Sequence, residues 1–275
     1  MTPDRPALIP PYALTSARGA GGPLVFASPH SGRVRPDDMR PRADLSEASL
    51  CSAEDRGVDA LIACAPDLGA PVLAAQISRT YVDLNRAPDA LDPALIEGVA
   101  ETIDPRVRAG YGVIPRLTGD GQVIHDRRLT RDDAEQRLET AYRPYHAALA
   151  ELMQTARAAH GRAALIDWHS MPARVGGVDV VLGDRHGMSC RTTLTRQVRA
   201  LFEREGLRVA LNHPYAGGWS TQAWGRPSEG FEALQIELNR ALYWDEAAGR
   251  PGVGMARLSG LIGRVIRTLT EQDWR

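Results

Sequence analysis

Apolar residues occur along this chain in short, dense runs that alternate with longer stretches of helical spacing. Leu24–Ala27, Val72–Ala75, Ala163–Asp167, Val178–Leu182, Arg208–Leu211 and Ala233–Leu238 each read as a short strand. Most are apolar at successive positions, as expected of strands covered on both faces. Between them, Ser46–Ala65 places Leu50, Val58, Leu61 and Ile62 near helical spacing, with Ser46 or Ser49 available as a cap. Thr130–His160 carries Leu138, Tyr142, Tyr145, Leu149 and Leu152 along one side and should kink or split at Pro144. Thr192–Glu205, stopped by Gly206, and Gly254–Arg275 complete the helices. Residues 1–20 and 87–126 lack periodicity; the latter reads as a lid or a hairpin around Gly119-Asp120-Gly121. Strands alternating with helices predict an α/β fold with a largely parallel sheet. No repeat and no long linker divides the chain, so 1–275 is expected to be one domain.

Composition narrows the function. The 275 residues are 43% hydrophobic and 24% charged, with a formal net charge of -1, so no basic field points to nucleic acid or an anionic membrane. All 33 residues in the Lys+Arg count are arginine, which excludes Schiff-base and P-loop lysine chemistry. Cys51, Cys64 and Cys190 form no CxxC pair and suit a reducing compartment. The start MTPDRPALIPPYAL lacks the basic and apolar regions of a signal peptide, and no apolar run is long enough to span a bilayer. A cytoplasmic protein is the expectation.

Polar residues interrupt the apolar runs at a few places where chemistry is expected. Ser28-Pro29-His30-Ser31-Gly32 and Asp167-Trp168-His169-Ser170 each set a histidine just past a buried strand. The carboxyl ends of such strands are where α/β sites are built. Two such histidines suit a metal held by two His and one carboxylate. The nearby Ala53-Glu54-Asp55-Arg56 offers Glu54 or Asp55 as the third ligand, and Asp167 an orienting partner. Arg79-Thr-Tyr-Val-Asp83-Leu-Asn85-Arg86 continues from a strand and places Asp83 and Asn85 on one face. There an Asn-Arg pair can grip a carboxylate. Glu237, inside the apolar Leu234–Leu238, is either a general base whose pKa burial would raise or a structural partner of Arg240. Tyr215, in Asn212–Gly218, is a further donor, whereas His146 reads as structural. Ser170 lacks the Gly-x-Ser-x-Gly elbow of a serine hydrolase.

Taken together, these motifs resemble the N-formylglutamate amidohydrolase family: SPHSG at 28–32, AEDRGVD at 53–59, RTYVDLNR at 79–86, YRPYH at 142–146, DWHSMP at 167–172, VVLGDRHGMSC at 180–190, NHPYAGG at 212–218 and LQIELNRALY at 234–243. They stand in family order over about residues 20–245. The family is similar to zinc carboxypeptidases and aspartoacylases. The resemblance implies a three-layer α/β/α sandwich with a mixed, mostly parallel central sheet and one Zn2+ at the strand ends. It implies His30 and His169 as metal ligands, Glu237 as general base and Arg79 at the oxyanion. Asp83, Asn85 and Arg86, with Tyr215, would bind a small-molecule N-formyl or N-acyl amino acid. The implied reaction releases formate and glutamate in histidine degradation. Those relatives carry a Glu three residues after the first His, where this chain has Arg33. The carboxylate ligand is then Asp55 or Glu54, with Asp55 favoured. Competing readings are a deacylase for another N-formyl or N-acyl amino acid and a binding protein that keeps the fold without catalysis.

Overall fold

The computed structural model describes residues 9–19, 21–272 and 274. Its elements run β1 (Tyr12–Thr15), β2 (Leu24–Ser28), α1 (Glu47–Cys51), α2 (Val58–Leu61), β3 (Val72–Ala75), α3 (Pro105–Arg108), α4 (Arg131–Arg137), α5 (Arg143–His160), β4 (Ala163–Met171), β5 (Val180–Gly183), α6 (Thr192–Arg204), β6 (Val209–Leu211), α7 (Trp219–Trp224), β7 (Phe231–Asn239) and α8 (Met255–Thr270). The seven strands form one sheet in the order β1-β3-β2-β4-β7-β5-β6. β3, β2, β4 and β7 are mutually parallel, β1 runs antiparallel to β3, and β5 runs antiparallel to β7 but parallel to β6. With helices on both faces, this is the expected three-layer, mixed, mostly parallel α/β/α sandwich.

Side-chain alternation explains both the core and the position of the site. Along the central strands, Leu24 and Phe26 of β2, Ala164, Ile166 and Trp168 of β4, and Leu234, Ile236 and Leu238 of β7 face one way. They pack with α2, α6 and α8 into one apolar cluster. Val25 and Ala27, Ala163 and Leu165, and Ala233 face the other way, toward α5 and the segment that precedes it. This second face changes character part way along each strand. With a period of two, Leu165 is followed by Asp167 and His169, and Ala233 by Gln235 and Glu237. The register pairs Asp167 with Gln235 and His169 with Glu237. Two adjacent strands therefore end in facing polar rows on one side and keep an apolar floor on the other.

Several elements differ from the sequence reading. Ser46–Ala65 is two short helices rather than one. Ser46 does cap the first, but the Asp55 N–H bonds to the His30 carbonyl at 2.9 Å, and Gly57 at φ 85° starts the second. A continuous helix would have spent that amide internally and carried Asp55 away from His30. Residues 79–86 form turns and no strand: the Asp83 N–H bonds to Val113 O and the Asn85 N–H to the Asp83 side chain. β4 runs on through His169 to Met171, so this histidine lies within the strand and only His30 lies past a strand end. The N-terminal segment, read as irregular, contributes the edge strand β1, whose mostly exposed positions give no burial signal. Thr130–His160 divides as expected near Pro144. A π-helical turn over Leu138–Tyr142 joins α4 to α5, after a capping box of Thr130 with Asp133. Residues 87–126 are mostly irregular, apart from α3 and an antiparallel bridge of Leu117 with Val123 around Gly119–Gly121. Arg275, the expected end of the last helix, lies outside the described residues. No helix among the described residues is long and apolar enough to cross a membrane.

Candidate metal centre and substrate pocket

Three chain segments meet above the polar ends of β4 and β7. The loop after β2 carries His30. Its entry depends on Gly32, where a Cβ would stand 2.0 Å from Ile77 O, so only glycine lets this loop lie against residues 76–78. The bend between α1 and α2 carries Asp55, and β4 carries His169. One ligand atom from each of these three buried residues lies within 4.8 Å of the others.

The two imidazoles are held in matching fashion. His30 Nε2 bonds Asp83 Oδ1 at 2.8 Å, and His169 Nε2 lies 3.0 Å from Asp167 Oδ2. Both Nδ1 atoms turn toward the same oxygen, Asp55 Oδ2, at 3.5 Å from His30 and 3.0 Å from His169. His30 Nε2–H donates to Asp83, which leaves a lone pair on its Nδ1, whereas His169 Nδ1 pairs with Asp55 Oδ2 and offers a lone pair once the proton between them is lost; carboxylates beside the far ring nitrogen are what orients metal-bound histidines. His30 Nδ1 is buried and has no hydrogen-bond partner. A buried polar atom left unpaired costs free energy, and a cation between the two rings and Asp55 would satisfy it. Two imidazoles and one carboxylate suit zinc among divalent ions.

Charge is arranged around this centre accordingly. Burial works against ionisation of Asp55, yet His169 and His30 hold its pKa well below the carboxylate range. Its other oxygen, Oδ1, accepts from Arg240 at 3.0 Å and from Ser170 at 3.2 Å. Burial also opposes the charged form of His169, but Asp167 and Asp55 outweigh it and raise the pKa well above 6.5. Asp83 is pulled well below its usual range against burial, chiefly by Arg79 and His30. Glu237, buried on β7, is pushed up to about 7 by desolvation, with His169 opposing and Asp55 assisting. Gln235 Nε2 donates to Glu237 Oε1 at 2.7 Å and fixes that carboxylate.

A cavity of 390 Å³ opens onto this cluster, and His30, Asp55, Arg79, Asn85, Arg86, His169, Tyr215 and Glu237 all line it. Two residues singled out from the sequence stand elsewhere. Glu54 is buried in a separate ionic knot with Arg35, Arg56 and the Ser78 hydroxyl; it flanks the bend on the side away from the histidines, so Asp55 is the acid brought to them. Asp83 does not face the cavity, because its oxygens are taken by His30, Arg79 and the Asn85 N–H. Its carboxylate is spent on His30 and Arg79. Asn85 is likewise engaged: Oδ1 accepts the Ser220 N–H at 2.8 Å, and Nδ2 reaches Asp167 Oδ2 at 3.3 Å. His146 is structural, bonding Leu84 O.

The sequence reading missed Arg106, Arg174 and Gln235 on the cavity wall, and it weighed Arg240 only as a partner of Glu237. Gln235 was legible: strand alternation places it on the face of Glu237. Arg106 and Arg174 sit in segments without periodicity, which carry no signal of direction.

The chain is similar to known proteins over most of its length. The family model described as N-formylglutamate amidohydrolase matches residues 22–244. The N-formylglutamate deformylase of Pseudomonas aeruginosa is 32% identical over 262 residues, covering 90% of this chain and 91% of its own. That of Pseudomonas putida is 30% identical over 233 residues, 82% of each. The crystal structure of the N-formylglutamate amidohydrolase from Ralstonia eutropha JMP134 superposes with a TM-score of 0.89 at 35% identity, covering 96% of this chain and 98% of its own.

Proposed function

Since the chain belongs to the N-formylglutamate amidohydrolase family, a family of amide hydrolases, we propose that it is a metal-dependent enzyme that hydrolyses N-formyl-L-glutamate to formate and L-glutamate. The observation that carries this reading is the convergence of two aspartate-braced histidines on Asp55 beside a buried glutamate, Glu237. His30 Nδ1, His169 Nδ1 and Asp55 Oδ2 would hold the ion, with zinc the best match to the donors. When bound, a divalent cation there supplies Lewis acidity and makes water acidic near neutral pH.

The chain's own groups account for the remaining chemistry. Glu237 accepts a proton from the attacking water and passes it to the leaving amine as the amide C–N bond breaks. Burial, which lifts its pKa to about 7, makes it basic enough for the first transfer and acidic enough for the second. Arg79, fixed by Asp83 at 2.6 Å, points its charge at the site and stabilises the developing oxyanion. Arg86 takes a substrate carboxylate. Asp83, Asp167 and Asn85 keep the histidines oriented. On this reading, residues 1–275 form one catalytic domain working in the cytoplasm at the end of histidine degradation.

The test is turnover of N-formyl-L-glutamate, N-formyl-L-methionine and N-acetyl-L-glutamate by the purified protein before and after chelation. Preferred cleavage of the first, lost on chelation and restored by Zn2+, is expected. Full activity surviving exhaustive chelation, or in Glu237→Gln, removes this mechanism.

A further inference from the structure

The wall of the site carries more positive charge than its own acids neutralise. Arg79, Arg86, Arg106, Arg174 and Arg240 line it, against the carboxylates of Asp55 and Glu237. Arg79 is paired with Asp83, and Arg240 with Asp55 and Glu246. Among the described residues, Arg86, Arg106 and Arg174 have no carboxylate within 4.0 Å. Three unpaired guanidinium groups on one concave wall, next to a cation site, call for more than one negative charge in the ligand.

The three stand at two separate places. Arg86 follows Asn85, whose amide lies 3.0 Å from His169, so this pole is next to the reacting centre. Arg106, in α3, joins it: after burial, the charges acting on the Arg86 guanidinium are those of Asp83, Arg79, Arg106 and Asp104. Arg174 arrives from another direction, three residues beyond the end of β4. It shares its part of the wall with Tyr215, whose surroundings are Glu237, Arg174, Asp55 and Arg240. Arg174 is exposed whereas Arg86 is half-buried, so the two reach the same cavity from different segments and at different depths.

We propose that Arg174 is the specificity-determining residue that binds the side-chain carboxylate of the substrate, while Arg86, supported by Arg106, takes the α-carboxylate beside the scissile amide. The proposal rests on the amidohydrolase reading and adds which group selects a dicarboxylic amino acid. An arginine suits the task because its planar fork meets both oxygens of a carboxylate. A neutral side chain would leave the Arg174 pole without a counter-charge, and discrimination follows from that difference.

The experiment compares kcat and KM of the zinc-loaded wild type, Arg174→Gln and Arg106→Gln on N-formyl-L-glutamate and on N-formyl-L-glutamine, which differ only in that carboxylate. The wild type should prefer the glutamate. Arg174→Gln should lower kcat/KM on the glutamate about tenfold or more, the loss of one charge-assisted hydrogen bond, mainly through KM. The preference over glutamine should shrink by a similar factor. Arg106→Gln should weaken both substrates alike. Metal content and melting temperature of Arg174→Gln should match the wild type, which separates a lost contact from a damaged fold. The proposal is overturned if Arg174→Gln keeps the wild-type preference, or if Arg106→Gln is the variant that erases it. A wild type that cleaves both substrates equally overturns the role of Arg174 alone. A wild type that cleaves neither overturns the amidohydrolase reading itself.

Discussion

Replacing Asp55 by asparagine, with Glu54→Gln as its control, separates the two acids that the sequence leaves side by side. The two have contrasting surroundings. Asp55 Oδ2 faces both Nδ1 atoms, and Oδ1 accepts from Arg240 and Ser170. Glu54 accepts from Arg35 at 3.0 Å, Arg56 at 2.8 Å and Ser78 at 2.6 Å and meets neither histidine. Both variants keep side-chain size and remove one buried negative charge. Breaking a buried pair costs about 3–5 kcal/mol. The lower end applies, because Arg240 keeps Glu246 at 3.3 Å, and Arg35 and Arg56 keep Glu47. A loss of about 3 kcal/mol lowers the melting temperature by roughly 6–12 °C in a chain of this size. Stability alone therefore does not tell the two variants apart, but the metal does. Removing an orienting partner of a ligand costs 10–100-fold in metal affinity, and removing a charged ligand should cost more, so Asp55→Asn should fall by over about 100-fold. Metal content by plasma mass spectrometry after dialysis, read beside thermal denaturation, should give near zero for Asp55→Asn and near one ion per chain for Glu54→Gln. Stoichiometric metal in Asp55→Asn would refute the assignment.

Three further outcomes follow from the same geometry. Glu237 acts as a base only when ionised, so kcat/KM should fall as pH drops through an acid limb. That limb should lie at or below about 7, since a bound cation favours the carboxylate; Glu237→Gln should lose about 10²–10⁴-fold, and a variant retaining a tenth of the rate would count against the role. In the metal-free protein, His169, whose pKa is raised well above 6.5, is protonated at neutral pH and must lose that proton to bind a cation. Affinity should therefore rise with pH, and calorimetry in buffers of different ionisation enthalpy should register proton release; a buffer-independent heat would contradict it. At Gly218, a Cβ would stand 2.5 Å from Asn85 Nδ2. Gly218→Ala should cost about 1–3 kcal/mol by overpacking and weaken metal binding as Asn85, which holds His169, is displaced, and wild-type melting together with wild-type metal affinity would show that the loop simply yields.

Much of this protein was legible along the chain because strand burial and strand alternation are local properties. Leu24–Ala27 and Val72–Ala75 are apolar at every position, which suffices to place parallel strands covered on both faces. The polar residues that break such runs, His30, Asp167, His169 and Glu237, had to be explained by chemistry. Spacing also fixed that His169 and Asp167, and Glu237 and Gln235, share faces. Direction and partnership are not local. Nothing within 46–65 says that the Asp55 amide is drawn to the His30 carbonyl, so a helical periodicity that a helix would satisfy is broken by a contact across the fold. Nothing within 79–86 says that Asp83 turns inward to His30 rather than out to a substrate. The choice between Asp55 and Glu54, adjacent in sequence and both buried, was made by what the packed chain set opposite each one: two imidazoles and Arg240 for the first, Arg35 and Arg56 for the second. Arg86 was legible beside Asn85, but Arg106 and Arg174 come from segments with no periodic pattern, and only their convergence on one cavity identifies them. A sequence records which residues are costly to bury; the tertiary structure supplies the partners that make the burial tolerable, and those partners decide the role.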